Sequence, residues 1–512
     1  MRATSDIVPL STSTRCWKGF ELVAASLDLT GILLGLALLV WLAYRGWSVL
    51  LLAPLGALTA AAFAGEPLLA HWTQTFMSAA ADFIARFFPI FLLGALFGKL
   101  MDDSGAVRVI AEWMTGHLGE RRAVLAVVLA GALVTYGGVS LFVAYFVLAP
   151  MAHRLFRQAG VPRRLMPAAI ALGASTFTMS AMPGTPAIQN AIPMPFFGTT
   201  PFAAPGLGLI ASAVMLSFGL WWIGLREAAA RRAGEGYGPN SGAASPADAA
   251  ADDPLVRERA TVASEFDPQE AHRGRHADVP PSIWAAILPL VVVVTVNLVM
   301  TVAVLPRLDT AFLSEERWGG ASLGEVGGVW AVSVALACAI LTLVLLNRRY
   351  LPDLRASADA GANASVLPIL SVASLVGFGA VVAALPAFAS VRDWVLGVGG
   401  GPLVSLAVAT NMLAALTGSA SGGLTIALEA LGPTYLRLAL EQGIDPALLH
   451  RVAVIGSGTL DGLPHNGAVV TLLAVCGCTH RESYFDVVMI GIVGALIGLA
   501  AVIALGLMFG SF

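Results

Sequence analysis

Apolar residues run through this chain in long blocks separated by short polar turns, not in alternation with polar ones. Nearly charge-free segments cover about 29–44, 46–65, 83–100, 165–182, 206–225, 283–304, 326–346, 365–385, 450–478 and 485–510. Blocks of this length suit helices crossing a hydrocarbon core of about 30 Å, and they lack the ten-residue alternation of a barrel strand. Two further apolar stretches, 123–150 and 402–428, are interrupted near their middles by Thr135-Tyr-Gly-Gly-Val-Ser140 and Thr417-Gly-Ser-Ala-Ser-Gly-Gly423. Lipid cannot satisfy a bare backbone, so breaks of this kind belong inside protein or beside a watery cavity. Both stretches read as re-entrant hairpins that enter and leave on one side. The pattern predicts an all-α polytopic membrane protein with about ten transmembrane helices and two re-entrant hairpins.

Composition agrees with that picture. Of 512 residues, 57% are hydrophobic and 12% charged, about half the charged share of a soluble protein. Seventeen of the charged residues fall within 226–282, a stretch rich in Gly, Pro, Ala and Ser with little that could build a core. It is expected to be a disordered linker. Counting alternate loops places twenty basic residues, seven of them from the linker, on one side and eight, including Arg307, Arg437 and Arg451, on the other. The positive-inside rule then puts the linker in the cytoplasm and both termini outside. The first span follows a long polar lead with no small-residue cleavage site after it, so it is expected to be a mature helix. A net charge of −3 without a basic tract gives no reason to invoke nucleic acid, and the four scattered cysteines imply no disulfide framework.

A shift of 281 residues carries the first broken stretch onto the second, Gly137 onto Gly418, Ser140 onto Ser421 and Pro183 onto Pro464. The expected organisation is a first transport repeat over 1–225, with its hairpin at about 123–150 and a broken helix at about 165–190. A second repeat follows over 283–512, with its hairpin at about 402–428 and a broken helix at about 450–478. Five crossings per half is an odd number, so the second half must be inserted upside down. That is the inverted-repeat plan of secondary transporters, which places substrate near the midplane between broken elements.

Four broken elements carry the candidate chemistry: the two hairpin turns and the interrupted spans Ser180-Ala-Met-Pro-Gly-Thr-Pro-Ala-Ile-Gln-Asn190 and Ser457-Gly-Thr-Leu-Asp-Gly-Leu-Pro-His-Asn-Gly467. Proline within a helix removes an amide donor and clashes with the preceding turn, so Pro183, Pro186 and Pro464 should unwind their helices. A half-helix beginning after such a break offers free N–H groups and a positive dipole end to a carboxylate. Substrate contacts are expected from Gly137, Gly138, Ser140, Pro183, Gly184, Thr185, Gln189 and Asn190 in the first half. The second half offers Thr417, Gly418, Ser419, Ser421, Gly422 and Asn466. The competing explanation is that small residues here only let helices pack closely. Asp461 and His465 are ionisable groups inside a span, four residues apart, and form the candidate proton-coupling pair. Asp82, Arg86 and Glu429 lie near membrane boundaries and are weaker candidates. Cys476-Gly-Cys478-Thr-His480 lacks a fourth metal ligand, so no metal is expected. A hydrolase could be assembled from Ser457, Asp461 and His465, but no Gly-x-Ser-x-Gly elbow accompanies them. No Walker loop is present, so no nucleotide or other cofactor is expected and transport would draw on an ion gradient.

Tyr136-Gly-Gly-Val-Ser-Leu-Phe-Val-Ala-Tyr-Phe-Val-Leu-Ala-Pro150, Phe177-Thr-Met-Ser-Ala-Met-Pro-Gly-Thr-Pro-Ala-Ile-Gln-Asn190, Asp445-Pro-Ala-Leu-Leu-His-Arg451 and Leu460-Asp-Gly-Leu-Pro-His-Asn-Gly467 resemble the gluconate permease family. That family sits within the wider ion transporter superfamily, which also holds citrate and dicarboxylate carriers. The resemblance implies a bacterial inner-membrane carrier that imports gluconate, related sugar acids, hydroxy acids or D-serine with protons. It also implies a homodimer with a scaffold and a moving transport domain bearing two hairpins. Where gluconate carriers have a Ser-His-Val-Asn-Asp pattern in the second broken span, this chain reads Leu-Pro-His-Asn-Gly, similar to a subgroup associated with 3-hydroxybutyrate and other small hydroxy acids. The Ser-Asn-Thr triplets of sodium-driven dicarboxylate carriers are missing from both hairpins. The expectation is a proton symporter for a small hydroxylated monocarboxylate, with a sodium-coupled di- or tricarboxylate carrier as the rival and an intramembrane hydrolase as the rival outside transport.

Overall fold

Among the described residues helix follows helix, and there is no strand. The computed structural model describes residues 28–42, 45, 47–119, 122–238, 267, 270, 273–277, 279–464 and 466–512. The first half contains α1 (Asp28–Leu42), α2 (Val49–Phe63), α3 (Leu68–Asp103), α4 (Ala106–Leu118), α5 (Ala123–Tyr136), α6 (Leu141–Ala159) and α7 (Met166–Ala174). It ends with the short helices α8 (Phe177–Ser180), α9 (Ile188–Ala191) and α10 (Pro193–Phe197) and the long α11 (Pro205–Arg232). The second half contains α12 (Ile283–Arg307), α13 (Leu323–Asn347), α14 (Leu354–Ala364), α15 (Val366–Ala384), α16 (Phe388–Leu396), α17 (Gly401–Thr417), α18 (Ala420–Glu441), α19 (Pro446–Thr459), α20 (Gly467–Val475) and α21 (His480–Phe509).

Shifted by 281 residues, α4, α5, α6, α7, α9 and α11 fall on α16, α17, α18, α19, α20 and α21, and α3 falls on α14 with α15. Among the described residues, six helical stretches are long and apolar enough to cross a bilayer. The other expected crossings divide into two kinds. Asp28–Leu42 and Val49–Phe63 are single helices of 15 residues, about 22 Å long at 1.5 Å per residue. The segments at 165–182 and 450–478 are strings of short helices, as their prolines and glycines require. The expected span 83–100 is longer than its apolar core, because Leu68–Asp103 continues through His71-Trp-Thr-Gln-Thr-Phe76 as helix.

Close packing rests on small residues at backbone crossings, as expected where lipid supplies no hydrophobic drive between helices. A Cβ on Gly35 would stand 2.4 Å from the Gly56 carbonyl oxygen, where α1 meets α2. One on Gly173 would stand 2.2 Å from the Val128 carbonyl oxygen, where α7 meets α5.

The linker is narrower than its composition suggests. Helix α11 continues to Arg232, and the chain beyond it docks: Arg164 donates two hydrogen bonds to Glu235 at 2.7 and 2.9 Å, and His153 Nδ1 meets the Tyr237 hydroxyl at 2.5 Å. Arg164 thereby holds the Glu235 carboxyl below its ordinary range. Nearby, Arg226 and Trp222 of α11 donate to the buried Asp486 of α21 at 2.8 and 3.0 Å. At the far end, the Ala277 amide donates to the Asp103 carbonyl at 2.8 Å and His276 lies 3.4 Å from Asp102, whose carboxylate raises the imidazole's basicity. Docking through ion pairs and one aromatic ring looks the same as solvated chain in a composition count. Residues 239–266 lie outside the described residues.

Orientation is open to a direct check. In a cysteine-free variant, a single cysteine placed within 239–266 should resist impermeant thiol reagents in whole cells. A cysteine in the 308–322 loop should label readily. Equal labelling rates would reverse the assigned sidedness.

Candidate functional site

The first hairpin turn sits on the first helix break. Helix α5 ends at Tyr136, Gly137 and Gly138 turn the chain, and α6 starts at Leu141. Gly138 has φ +95°, a left-handed conformation that glycine adopts without strain, and a Cβ there would lie 2.9 Å from Pro186 Cγ. Tyr136 donates from its hydroxyl to the Pro183 carbonyl at 2.9 Å, and Thr135 Oγ1 donates to Thr178 Oγ1 at 3.2 Å. Thr135, Gly138, Val139, Ser140, Leu141, Met179, Pro186 and Ala187 line a small cleft at this junction. Next to this break the Gln189 carboxamide oxygen is buried and accepts no hydrogen bond.

The second hairpin turn meets the second break in the equivalent way. Ser419 caps α18 by accepting from the Gly422 amide at 3.1 Å and contacts Ser421 Oγ at 3.3 Å. Asn466 caps α20 by accepting from the Ala468 amide at 2.7 Å, while its Nδ2 donates to the Gly418 carbonyl at 2.8 Å and to the Asp461 carboxyl. The Ala420 amide also donates to Asp461. From α6, the buried Tyr145 hydroxyl bonds Ser175 and lies within electrostatic reach of Asp461. Asp461 therefore stands where the second hairpin turn, the second break and the returning arm of the first hairpin converge.

The two breaks also touch each other. A Cβ on Gly458 would lie 3.1 Å from Ser180 Cβ, so α19 and α8 cross in near-backbone contact. Asn190 donates through Nδ2 to the Thr185 and Pro201 carbonyls, both at 3.0 Å. Its Oδ1 must then act as acceptor toward His450 Nε2 at 3.1 Å, which fixes the imidazole tautomer, and Thr199 donates to Nδ1 at 2.6 Å. The Gly184 carbonyl accepts from Asn297 Nδ2 of α12 at 3.0 Å.

The expected contact residues thus divide. Gly138 and Ser140 line the cleft, Pro183 accepts from Tyr136 of the same turn, and Gln189, two residues beyond the cleft-lining Ala187, keeps a buried unused oxygen. Gly137 is packed under Leu290, and Gly184 at φ +80° is packed against Phe202. Thr185, Asn190, Thr417, Gly418, Ser419, Ser421, Gly422 and Asn466 hold the two turns and breaks in shape through hydrogen bonds or close contact. His465 lies outside the described residues, and the Asp461 turn before it is a 3₁₀ segment, Leu460–Gly462. Glu429 is half-buried with Arg86 and Asp82 within electrostatic reach.

Arg451, which loop counting sets among the basic residues of the outer side, has its side chain wholly buried within the protein in α19, one turn after the helix start at Pro446. Residues of this junction that the sequence does not single out as candidate contacts are Thr135, Met179, Tyr145, His450 and Asn297. The last two carry a signal, since each is a polar group within or beside an apolar span.

The profile of the GntP family permeases matches residues 27–195. Over 485 residues the chain is 39% identical to the uncharacterized transporter YxjC of Bacillus subtilis (strain 168), an alignment that covers 93% of this chain and 98% of that one. The chain belongs to the GntP permease family. A second GntP-related match is the high-affinity gluconate transporter of Escherichia coli (strain K12), 34% identical over 106 residues that cover 20% of this chain and 23% of that one. Among solved structures, Neisseria gonorrhoeae MtrF, described as illuminating a class of antimetabolite efflux pumps, superposes with a TM-score of 0.51 at 14% identity, over 85% of this chain and 83% of that one. At that identity the likeness concerns the fold. This GntP permease is accordingly a multi-pass membrane transporter, related to gluconate transporters.

Proposed function

We propose that this GntP permease is a proton-coupled symporter that imports a small hydroxylated monocarboxylate, a gluconate-like sugar acid or 3-hydroxybutyrate, across a bacterial plasma membrane. In this reading the α5–α6 and α17–α18 pairs are re-entrant hairpins of two inverted repeats, the linker is cytoplasmic, and two copies form a homodimer. The observation that carries it is the placement of Asp461. Its carboxyl takes hydrogen bonds from Asn466 and from the Ala420 amide, and Asn466 in turn holds the Gly418 carbonyl of the hairpin turn. One titratable group is thereby tied to the position of the hairpin, which is what a proton needs if it is to govern access.

The neutral donors of the first-half cleft suit the rest of the substrate. Ser140 places a hydroxyl in its wall, and the buried Gln189 oxygen, two residues beyond the cleft-lining Ala187, keeps an unused acceptor for a substrate hydroxyl. No second carboxylate is provided for, since no basic side chain lines the cleft.

Reconstitution in liposomes tests the reading. Labelled gluconate, 3-hydroxybutyrate, D-serine and succinate are offered under imposed proton or sodium gradients. Accumulation of a monocarboxylate driven by external acid is the expected result. Sodium-driven uptake of succinate would establish the rival carrier, and release of a cleavage product in detergent without any gradient would establish the hydrolase.

A further inference from the structure

Arg451 is a buried cation without an acidic partner. Its Nε and Nη2 donate to the Ala203 carbonyl at 3.2 and 2.6 Å, and its Nη1 donates to the Ser180 carbonyl at 3.5 Å. A guanidinium has five N–H donors, and the acceptors it finds here are neutral. Lys99, the other buried Lys or Arg among the described residues, is compensated by Asp103, which it bonds at 2.8 Å. No carboxylate among the described residues plays that part for Arg451. The adjacent His450 adds no anion, because its two ring nitrogens are occupied by Thr199 and Asn190.

Burying an unpaired charge is costly, and the carbonyl at the end of the four-residue α8 offsets only part of that cost. Ser180, which holds the guanidinium, follows Met179, which lines the cleft. The charge therefore stands behind the cleft. It does not project into it, since a Cβ on Gly208 would meet Nε at 3.3 Å and the side chain is packed in place.

We propose that Arg451 is the charge-selecting residue of this transporter: a fixed positive group whose missing counter-ion is the carboxylate of the substrate bound in the cleft. It is a positioning residue that acts through the field it imposes, not through direct contact. The inference rests on the reading of the protein as a carboxylate symporter. Two unit charges roughly 10 Å apart in an interior of effective dielectric about 20 change a binding equilibrium by on the order of tenfold.

The test compares an acid with its neutral amide. Purified parent, Arg451→Lys, Arg451→Gln and Arg451→Met proteins in liposomes are assayed for counterflow of labelled 3-hydroxybutyrate, with unlabelled 3-hydroxybutyrate or 3-hydroxybutyramide as competitor. Gluconate and gluconamide form a second pair. The parent should prefer the acid, Arg451→Lys should retain that preference, and Arg451→Gln should lose about tenfold of it. Arg451→Met covers the case in which the glutamine variant fails to fold, because a long apolar side chain removes the charge and fills the space without burying a carboxamide. A purely structural role would weaken acid and amide together and leave their ratio unchanged, which overturns the inference. A parent that counterflows neither acid overturns the symporter reading itself, and the two failures are thereby told apart.

Discussion

Asp461→Asn should convert an accumulating carrier into an equilibrating one. A pH difference of one unit is worth about 1.36 kcal/mol, or about tenfold in concentration, for each proton coupled. If the proposed coupling is one proton per monocarboxylate, the parent protein should concentrate substrate by up to about tenfold under that gradient, and the variant should stop at equal concentrations inside and out. The geometry explains why coupling, and not binding, should be lost. A carboxamide oxygen at position 461 can still accept from the Ala420 amide and from Asn466 Nδ2, so the clip between the second break and the Gly418 carbonyl survives. What disappears is the ability to exist charged in one step and neutral in another. Counterflow, which moves no net protons, should therefore persist at a rate near that of the parent. If Asp461→Asn accumulates as the parent does, the coupling proton resides elsewhere, and Glu429 becomes the group to replace.

The broken elements were legible in the chain because their physics is local. Pro183, Pro186 and Pro464 cannot continue a helix, and Gly138 and Gly418 adopt φ of +95° and +65° that other residues resist. What each break touches was not legible, because it depends on residues brought together across the two halves. Asn466 and Asn190 look alike in sequence as neutral donors for a substrate. In the fold both spend their amide groups on backbone carbonyls, Gly418 for one and Thr185 with Pro201 for the other. The burial of Arg451 is illegible for a related reason, since distance along the chain from a helix start does not report depth within a bundle. Glu235 and Tyr237 show the same limit at the surface, where a Gly-rich polar stretch docks through partners contributed by α6 and the turn before α7.

Substitution of Gly138 should tell a glycine of the cleft wall apart from the many that only let helices pack. At φ +95° an alanine is strained by about 1–2 kcal/mol, and its Cβ would press on Pro186 at 2.9 Å, in the wall of the cleft. Valine adds two methyl groups to the same clash. Gly138→Ala should lower uptake at least tenfold and Gly138→Val should abolish it, while both variants reach the membrane in normal amounts, because the hairpin arms remain anchored by Tyr136 and Thr135. Gly173→Ala should behave differently, since its Cβ would meet the Val128 carbonyl oxygen at 2.2 Å with backbone on the other side. That variant should fail to accumulate as folded protein. Gly224→Ala, with nothing within 4 Å, should be silent or slightly stabilising through helix propensity. Membrane abundance by immunoblot and uptake in the same cells give the comparison. Normal uptake by Gly138→Val would mean that the first hairpin turn is a packing device and that substrate passes elsewhere.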